Sequence, residues 1–431
     1  MISVLTSLLI TLFSLPIFPT EPTYVEYRLE EDGYYSAVVS RGGKVVRVSL
    51  CSSAELDGMD IGVEMYRGKS STKIYNLIVK PIEHHIGRQV CFKPAGKIHF
   101  INVAALVDEH GKRCCQKYNI RRVSSLTSAK TSEKVDFDQM KIYLFGGMVY
   151  DADPERMFQN CWWIYRDDYW GGENGNSQLY CDAGPERMWR TSEQLSKYVT
   201  DFPGWDMSTV TLGTAEDGAR AGYDHLQYSR GEIKFIYSHR GFNIQKYTGD
   251  AALEEIFKLK SMWEYPCVIH LSTHSFTLNV SQNPFSGSFD ARQLAYKTTG
   301  LLFTGASHTL SGSRFPYEMN DGLLYAEEIA RYDFSRVNLL VLSACGTALG
   351  TVTNDGVIGL QSAFKDAGVK TIVSTLWSIN DKAAAEFMKS FYLFMFDGLS
   401  KYDAFEKARQ MMMESKDFND PLYWAPFIML D

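Results

Sequence analysis

The chain has 431 residues, 45% hydrophobic and 13% aromatic, so it can bury a substantial core and is long enough for two globular units. Its formal net charge of −7 argues against the strongly basic class of proteins that bind nucleic acid directly. Its eight cysteines lack the dense spacing of a secreted disulfide scaffold, and no zinc-binding motif is present. We therefore expect a reducing compartment, no structural metal and no cofactor.

Residues 2–18 form an uncharged, apolar stretch that fits two familiar segment types poorly. A secretory signal needs a basic start and a small-residue cleavage site, and a membrane-spanning helix needs about 20 apolar residues without Pro16 and Pro19. We expect instead a buried or vestigial helix, left where a longer chain once continued upstream, in a cytoplasmic protein. A membrane tether through residues 2–18 is the alternative.

Short alternating segments follow, from Thr23 to about Ser128, and they predict strands of a mixed sheet. Two of them, 34–40 and 44–50, flank the turn residues Gly42 and Gly43. A polar linker at 129–138 precedes the apolar run that begins at Lys141. The predicted division is an apolar segment (1–22), a smaller N-terminal α+β domain with a structural or regulatory role (23–138) and a larger α/β domain (139–431).

The larger segment alternates strands with helices, which predicts a mostly parallel central sheet flanked by helices. Predicted strands lie near 142–145, 233–237, 268–271, 339–342 and 371–374. Predicted helices run over 357–364 and 384–395, and the second stops at Gly398. Residues 167–190 and 277–322 are predicted to be long surface loops, which usually carry function or are disordered.

Two apolar runs of this segment each end in a reactive side chain, at His274 and at Cys345. Chemistry in α/β sheets lies beyond the carboxyl ends of parallel strands, so neighbouring strands would bring this imidazole and thiol to one crevice. The imidazole could accept the proton of a thiol that is otherwise mostly un-ionised at pH 7, and the turn around Cys345 could offer backbone N–H groups to an oxyanion. The alternative is that Cys345 is a small buried residue and His274 a satisfied core histidine, as we expect for His270.

Five blocks of the C-terminal half resemble the CHAT domain, a caspase-like family that is often fused to tetratricopeptide repeats and is related to separase. The histidine block is IHLSTHS (269–275), and the cysteine block is DGLLYAEEI (321–329) followed by VLSACGTALG (341–350). The other three blocks cover 355–368, 374–381 and 423–431. The resemblance is strongest from 141 to 431 and weaker in the N-terminal part.

The resemblance implies a caspase-hemoglobinase-like fold and a cysteine endopeptidase, with Cys345 as nucleophile and His274 as general base. It also implies a protein or peptide substrate and an oxyanion hole made by the backbone N–H groups of Ser275 and Cys345. The family usually has glycine at the position of Ser275, and serine rarely adopts the positive φ that glycine allows. An inactive scaffold that binds a peptide or partner protein is therefore the alternative.

Related proteases with a similar tryptophan block use acidic groups to receive a basic residue, which makes Trp377 and Asp381 candidate substrate-binding residues. Asp381 can also be interpreted as a helix N-cap, because Asn380 and Asp381 immediately precede a predicted helix. We expect activity to depend on a regulatory partner, such as a tetratricopeptide-repeat protein, or on ordering of the segment 277–322. Neither nucleic acid nor a membrane is expected as a partner.

Overall fold

The computed structural model describes residues 21–59, 62–126, 134–161, 211–212, 226–239, 241–259, 265–277, 290–310, 319–343, 351–353 and 356–431. The strands in these ranges are β1 (Thr23–Leu29), β2 (Tyr34–Arg41), β3 (Lys44–Ser52), β4 (Gln89–Lys93), β5 (Asn119–Arg122), β6 (Lys141–Met148), β7 (Thr211–Leu212), β8 (Ile244–Gly249), β9 (Cys267–Ser272), β10 (Ser275–Thr277), β11 (Thr299–Leu302), β12 (Leu323–Tyr325), β13 (Val337–Leu342), β14 (Thr351–Thr353), β15 (Gly356–Ile358), β16 (Ile372–Thr375) and β17 (Phe427–Leu430).

The α-helices in the same ranges are α1 (Ser53–Asp57), α2 (Gly68–Ile78), α3 (Cys114–Lys117), α4 (Pro154–Cys161), α5 (Ser229–Tyr237), α6 (Glu254–Phe257), α7 (Ala291–Thr298), α8 (Ala306–Leu310), α9 (Ala326–Ile329), α10 (Leu360–Asp366), α11 (Asp381–Phe396), α12 (Lys401–Glu414) and α13 (Pro421–Trp424). Short 3-10 helices lie at Val63–Tyr66, Lys80–His85, Gly96–Phe100 and Val103–Ala105.

Eleven strands form one central sheet, in the order β3-β2-β1-β4-β5-β17-β16-β13-β9-β6-β8. Neighbouring strands are parallel in two runs of this order, β1-β4-β5-β17 and β16-β13-β9-β6-β8. It is antiparallel at the β3-β2-β1 edge and between β17 and β16. The prediction of a mostly parallel central sheet flanked by helices is confirmed.

The central strands are buried on both faces. In β9, Val268 belongs to the core that contains Phe387 of α11, whereas its neighbour Ile269 belongs to the core that contains Phe364 of α10. Successive residues of a strand point to opposite faces, so helices must cover both sides of the sheet. This is why the sequence of β9 is a continuous apolar run rather than an alternating one.

The strands predicted at 34–40 and 44–50 are β2 and β3, and a tight turn joins them. Gly42 and Gly43 have φ values of 57° and 74°, as the two-residue turn of a β-hairpin requires. The strands β1 to β5, all from the predicted N-terminal domain, lengthen the same sheet that contains the strands of the larger segment. The division at residues 22 and 138 stays a prediction.

A single parallel pair, β5 with β17, joins the N-terminal strands to the rest of the sheet. Arg122 of β5 pairs with Leu430 of β17. Beside this pair, Nη2 of Arg121 donates a hydrogen bond to Oδ2 of Asp431 at 2.6 Å, although these two residues are 310 positions apart in the chain. We call this junction the β5–β17 seam.

The predicted strand at 233–237 is wrong, because these residues end helix α5. Ile233 and Ile236 are fully buried and three positions apart, whereas Tyr237 is 42% exposed. Burial therefore follows a helical period and not the two-residue period of a strand. The predicted helix at 357–364 is partly wrong, since β15 occupies Gly356–Ile358 and α10 begins at Leu360.

The prediction of one long surface loop at 277–322 is also wrong. The described part of this segment contains α7, α8 and the fully buried strand β11. β11 lies inside a second sheet of order β12-β11-β10-β7. A third sheet pairs β14 with β15.

Several predictions fall on residues outside the described ranges. They are the apolar stretch 2–18, the loop 167–190 and the first half of the linker 129–138. Within the described ranges, no helix has both the length and the apolarity that crossing a membrane requires. In the same ranges, no three His, Cys, Asp or Glu side chains are grouped as a metal site would need.

Candidate active site

The candidate site lies at the edge of the sheet where β6, β9 and β13 end. These strands are adjacent and parallel, so their carboxyl ends reach the same edge. Leu342 of β13 pairs with Leu271 of β9, and the N–H of Ser343 donates to the Leu271 carbonyl at 2.9 Å. The predicted adjacency of the two strands is confirmed. His274 follows Leu271 by three positions, and Cys345, which lies outside the described residues, follows Leu342 by three positions.

His274 is held on two sides by groups from other parts of the fold. The hydroxyl of Tyr150, just beyond β6, accepts a hydrogen bond from the His274 backbone N–H at 3.3 Å and shares one with Thr273 Oγ1 at 3.0 Å. The centroids of the Tyr150 and His274 rings are 5.3 Å apart. On the other side, the His274 carbonyl accepts from the N–H of Leu302 at 2.9 Å. The residue is 5% exposed, so its backbone is fixed in a largely buried setting.

Ser275 is the first residue of β10 and pairs with Leu301 of β11. It is 8% exposed. Strand residues have negative φ, which serine adopts without strain. The conformation seen here therefore does not require the glycine that the family usually has at this position. A contribution of the Ser275 N–H to an oxyanion hole stays a prediction.

A buried polar cluster lies next to the ends of β9 and β13. Oε2 of Glu232, a fully buried residue of α5, accepts hydrogen bonds from Ser272 Oγ at 3.4 Å and Ser343 Oγ at 3.3 Å. Its Oε1 lies 2.8 Å from Nε2 of His270, although the ring N–H does not point at that oxygen. We call these four residues the Glu232 cluster. Each serine stands two positions before one of the two predicted catalytic residues, so the cluster ties the two strand ends together.

His270 is fully buried, which confirms the prediction that it is a core histidine. Its ring packs edge-on against Tyr392 of α11, with the centroids 5.4 Å apart. Burial, and to a smaller extent the charge of Glu232, hold the pKa of the Tyr392 hydroxyl well above its ordinary value. The Glu232 cluster is therefore enclosed by α5, α11 and the sheet.

Asp381 is the first residue of α11, and Asn380 is its N-cap. Oδ1 of Asn380 accepts from two backbone N–H groups of the first turn, at 3.0 and 3.3 Å, so the interpretation of Asp381 as the cap is wrong. Oδ2 of Asp381 accepts instead from the N–H of Tyr228, directly before α5, at 2.6 Å. Burial raises the pKa of Asp381; the Tyr228 N–H opposes this rise, and the charge of Glu232 adds to it.

Trp377 lies half-buried between the N-terminal part of the chain and β17. Its ring is 5.3 Å from that of Tyr66, and it also packs against Leu376 and Ile428. Its Nε1 is buried and has no hydrogen-bond partner among the described residues. Buried tryptophan N–H groups usually have a hydrogen-bond partner, so the N–H of Trp377 is an exception among the described residues. Roles of Trp377 and Asp381 in substrate binding stay predictions.

The sequence matches the CHAT domain over residues 68–430. This chain belongs to the CHAT domain family. Tetratricopeptide repeat protein 28 of Mus musculus, like the human protein of the same name, is 34% identical to this CHAT protein over 94 residues. That match covers 22% of this chain and only 4% of each relative.

Two solved structures are also similar to this CHAT protein. The separase–securin complex of Saccharomyces cerevisiae matches with 12% identity and a TM-score of 0.35, covering 81% of this chain and 16% of that chain. The Arg-specific cysteine proteinase gingipain R matches with 9% identity and a TM-score of 0.37, covering 84% of this chain and 65% of that chain.

Six cysteines of the CHAT protein lie in the described ranges, and all six are free thiols. Burial raises the pKa of the thiol to about 11 in Cys51 and to about 12 in Cys267. It also raises the thiol pKa of the other four, Cys91, Cys114, Cys115 and Cys161. A thiol with a raised pKa is rarely a thiolate at neutral pH and reacts slowly. These six residues would therefore give a weak background in a thiol-labelling experiment.

Tyr150 and Glu232 are residues of the site that the sequence analysis missed. Tyr150 stands two positions beyond the end of β6, so the rule that pointed to His274, a polar residue just after a parallel strand, also points to it. Glu232 gave no such signal, because it directly precedes residues 233–237, which were expected to form a strand.

Proposed function

We propose that this CHAT protein is a cysteine endopeptidase that cleaves a protein or peptide substrate through Cys345 and His274. The observation that carries the proposal is the parallel pairing of β9 and β13. The same offset of three positions leads from the paired residues Leu271 and Leu342 to the histidine and to the cysteine. Membership of the CHAT family supports the same class of function.

In the proposed reaction, His274 takes the proton of the Cys345 thiol, and the thiolate sulfur attacks the carbonyl carbon of the scissile peptide bond. Backbone N–H groups of Ser275 and Cys345 stabilise the oxyanion that forms. The C–N bond then breaks, and the imidazolium gives its proton to the leaving amine. Water, deprotonated by His274, attacks the resulting thioester and releases the carboxylic acid and the free thiol.

We also propose that Asp381 favours a basic residue before the scissile bond. Its carboxyl is partly buried, and this burial raises its pKa and disfavours the ionised form. An arginine or lysine side chain of the substrate would supply a counter-charge and would favour ionisation again. Asp381→Asn should therefore reduce the preference for a basic recognition residue over a neutral one by about tenfold, measured as the ratio of labelling rates with two matched probes.

A tetratricopeptide-repeat protein is the regulatory partner that we propose. The support is the name of the relatives, which combine a segment similar to this chain with such repeats. Adding the partner should raise the rate of Cys345 labelling without changing which cysteine reacts.

An inactive scaffold that binds a peptide without cleaving it is the second candidate. The residue that favours it is Ser275, in place of the usual glycine. Its position at the start of a strand weighs against this alternative, because no positive φ is needed there.

The deciding experiment is mass-spectrometric mapping of an acyloxymethyl-ketone probe that carries a basic recognition residue. We expect selective labelling of Cys345 in the wild type, about 100-fold slower in His274→Ala, because general-base assistance typically contributes 10² or more. Cys345→Ala gives the blank, Cys181→Ser removes the other cysteine outside the described ranges, and the exposed His85→Ala serves as the matched histidine control. Equal, slow labelling of folded wild type and His274→Ala, both alone and with a tetratricopeptide-repeat partner added, would contradict the endopeptidase and favour the scaffold.

A further inference from the structure

The first turn of α5 lies at the edge of the sheet where the candidate active site is. It carries two polar side chains, Ser229 and Glu232, which are three positions apart and therefore on one face of the helix. Both residues are fully buried. Buried polar groups need hydrogen-bond partners, and these two find theirs at the ends of three neighbouring strands.

Ser229 joins the end of β6 to the end of β9. Its Oγ accepts a hydrogen bond from the N–H of Gly147 in β6 at 2.9 Å and donates one to the carbonyl of Ser272, the last residue of β9, at 3.1 Å. A hydroxyl has one proton and two lone pairs, so it can make both bonds at once. This single side chain therefore fixes the ends of two adjacent parallel strands relative to each other.

Glu232 joins the end of β9 to the end of β13. Its Oε2 accepts hydrogen bonds from Ser272 at 3.4 Å and from Ser343 at 3.3 Å. The pairing of these two strands ends one position before each serine. Two further positions lead from Ser272 to His274 and from Ser343 to Cys345. The carboxyl group therefore binds each chain segment at the point where it leaves the sheet towards the catalytic pair.

Gly146 of β6 allows the first turn of α5 to approach the strand ends closely. A Cβ atom at this position would lie 2.8 Å from Oγ of Ser229 and 2.8 Å from Cγ1 of Ile233. Both distances are shorter than Cβ contacts in proteins, so a larger residue at this position would push the turn away from the sheet. Glycine is the residue that permits such a close approach within a strand.

We infer that Ser229 and Glu232 are positioning residues: by holding three neighbouring strand ends in one arrangement, they set the distance between His274 and Cys345. This inference rests on the proposed endopeptidase, because it concerns the geometry of that catalytic pair. Proton transfer from the thiol to the imidazole needs hydrogen-bond reach, and an error of about 1 Å can cost roughly 100-fold in rate. Neither positioning residue takes or gives a proton in the proposed reaction.

The test is the rate at which iodoacetamide labels Cys345 in the full chain, mapped by mass spectrometry. This small reagent needs no recognition site, so its rate reports the catalytic pair and not substrate binding. We expect Ser229→Ala and Ser343→Ala each to slow labelling by about tenfold. Ser343→Thr keeps the hydroxyl and should restore the rate. Ser238→Ala is the matched control, because this exposed serine at the other end of α5 also donates to a backbone carbonyl, and it should leave the rate unchanged.

A double-mutant cycle separates positioning from a general effect on the fold. His274→Ala should slow labelling by about 100-fold in the wild type but by only about tenfold in Ser343→Ala, because a displaced imidazole has less to contribute. A residue that only stabilises the fold would leave the effect of His274→Ala at its wild-type size. Ser229→Ala and Ser343→Ala remove different hydrogen bonds, so either variant is sufficient if the other does not fold.

The outcomes distinguish this inference from the endopeptidase itself. Labelling of the folded serine variants at the wild-type rate, with His274→Ala still slow, would overturn the positioning role and leave the endopeptidase standing. An undiminished effect of His274→Ala in Ser343→Ala would overturn it as well. If His274→Ala does not slow labelling of the wild type, alone and with a tetratricopeptide-repeat partner added, the endopeptidase fails and the positioning role falls with it.

Discussion

Glu232 and Arg122 are both buried residues with titratable side chains, but their surroundings are opposite. The carboxylate of Glu232 faces His270, Ser272 and Ser343, all within 3.4 Å. Nη2 of Arg122 donates to the carbonyl of His99, but Nε and Nη1 have no hydrogen-bond partner among the described residues. A buried charge that is surrounded by partners is a component of the fold, and its removal leaves those partners unsatisfied. A buried charge without partners does not stabilise the fold by itself.

The largest expected effect is that of Glu232→Ala. Removing this carboxylate leaves the hydroxyls of Ser272 and Ser343 buried without their acceptor and opens a cavity beside His270, so we expect the free energy of unfolding in urea to fall by about 3–5 kcal/mol. The matched control is Glu386→Ala on the exposed side of α11, which should change it by less than about 0.5 kcal/mol. If Glu232→Ala and Glu386→Ala lowered the free energy of unfolding by similarly small amounts, the partners of Glu232 would not stabilise the fold, and the contrast with Arg122 would fail.

Glu255 is an intermediate case, a buried carboxylate next to another one. Burial, followed by the charge of Glu254, raises the pKa of Glu255 to about 7. Because the folded pKa lies above the unfolded value of 4.5, its contribution to stability is complete below pH 4.5 and is lost as the pH rises towards 7. The difference between Glu255→Gln and the wild type should therefore shift in favour of the variant by about 3 kcal/mol between pH 4.5 and pH 8.

Urea unfolding at a series of pH values measures that shift. Glutamine keeps the acceptor for the N–H of Asn320, so the comparison isolates ionisation. Glu386→Gln, with an exposed carboxyl, should show no comparable shift. A pH-independent difference for Glu255→Gln would show that its carboxyl does not titrate as its burial implies.

Tyr150→Phe tests whether the Tyr150 hydroxyl positions His274. This prediction depends on the proposed endopeptidase activity. The change removes only the hydroxyl that holds the backbone of His274 and bonds to Thr273. We expect labelling of Cys345 to slow by about tenfold, because small errors in the position of a general base are costly, with about 1 kcal/mol of lost stability. Tyr237→Phe, on an exposed tyrosine, is the control. An unchanged labelling rate would limit Tyr150 to a packing role.

The smallest expected effect is that of Arg122→Met. Replacing an unpaired buried charge by an apolar side chain of similar length should change the free energy of unfolding by about zero to 1 kcal/mol, in the stabilising direction. Urea unfolding of the variant beside Glu232→Ala compares the two buried charges directly. A loss of several kcal/mol would mean that Arg122 has structural partners after all, and the contrast with Glu232 would fail.

The parts of the fold that were predicted correctly are those that local pattern determines. β9 and β13 are continuous apolar runs, as a sheet covered on both faces requires, and α11 stops before Gly398, whose φ is 86°. Because His274 and Cys345 follow directly after these strands, the sequence alone was enough to single them out as candidate catalytic residues.

The wrong predictions concern segments whose structure depends on contacts with residues that are distant in the sequence. Ile233, Phe235 and Tyr237 alternate as in a strand, yet burial of Ile233 and Ile236 against the sheet makes the segment a helix. β11 has four residues and is buried because β10 and β12 pair with it on both sides, which its own sequence does not reveal. Likewise, 111 positions separate Glu232 from Ser343 in the chain. Only the folded molecule brings such residues together.

The β5–β17 seam has a consequence for how the molecule is made. The ion pair beside it joins residues 310 positions apart, so β5 leaves the ribosome long before its partner strand exists. At about 5–20 residues per second, the interval is on the order of 15–60 s. For that time one edge of β5 is an unpaired strand, the kind of surface to which other chains add. Newly made N-terminal halves of this protein should therefore be the species that chaperones protect and that aggregates contain.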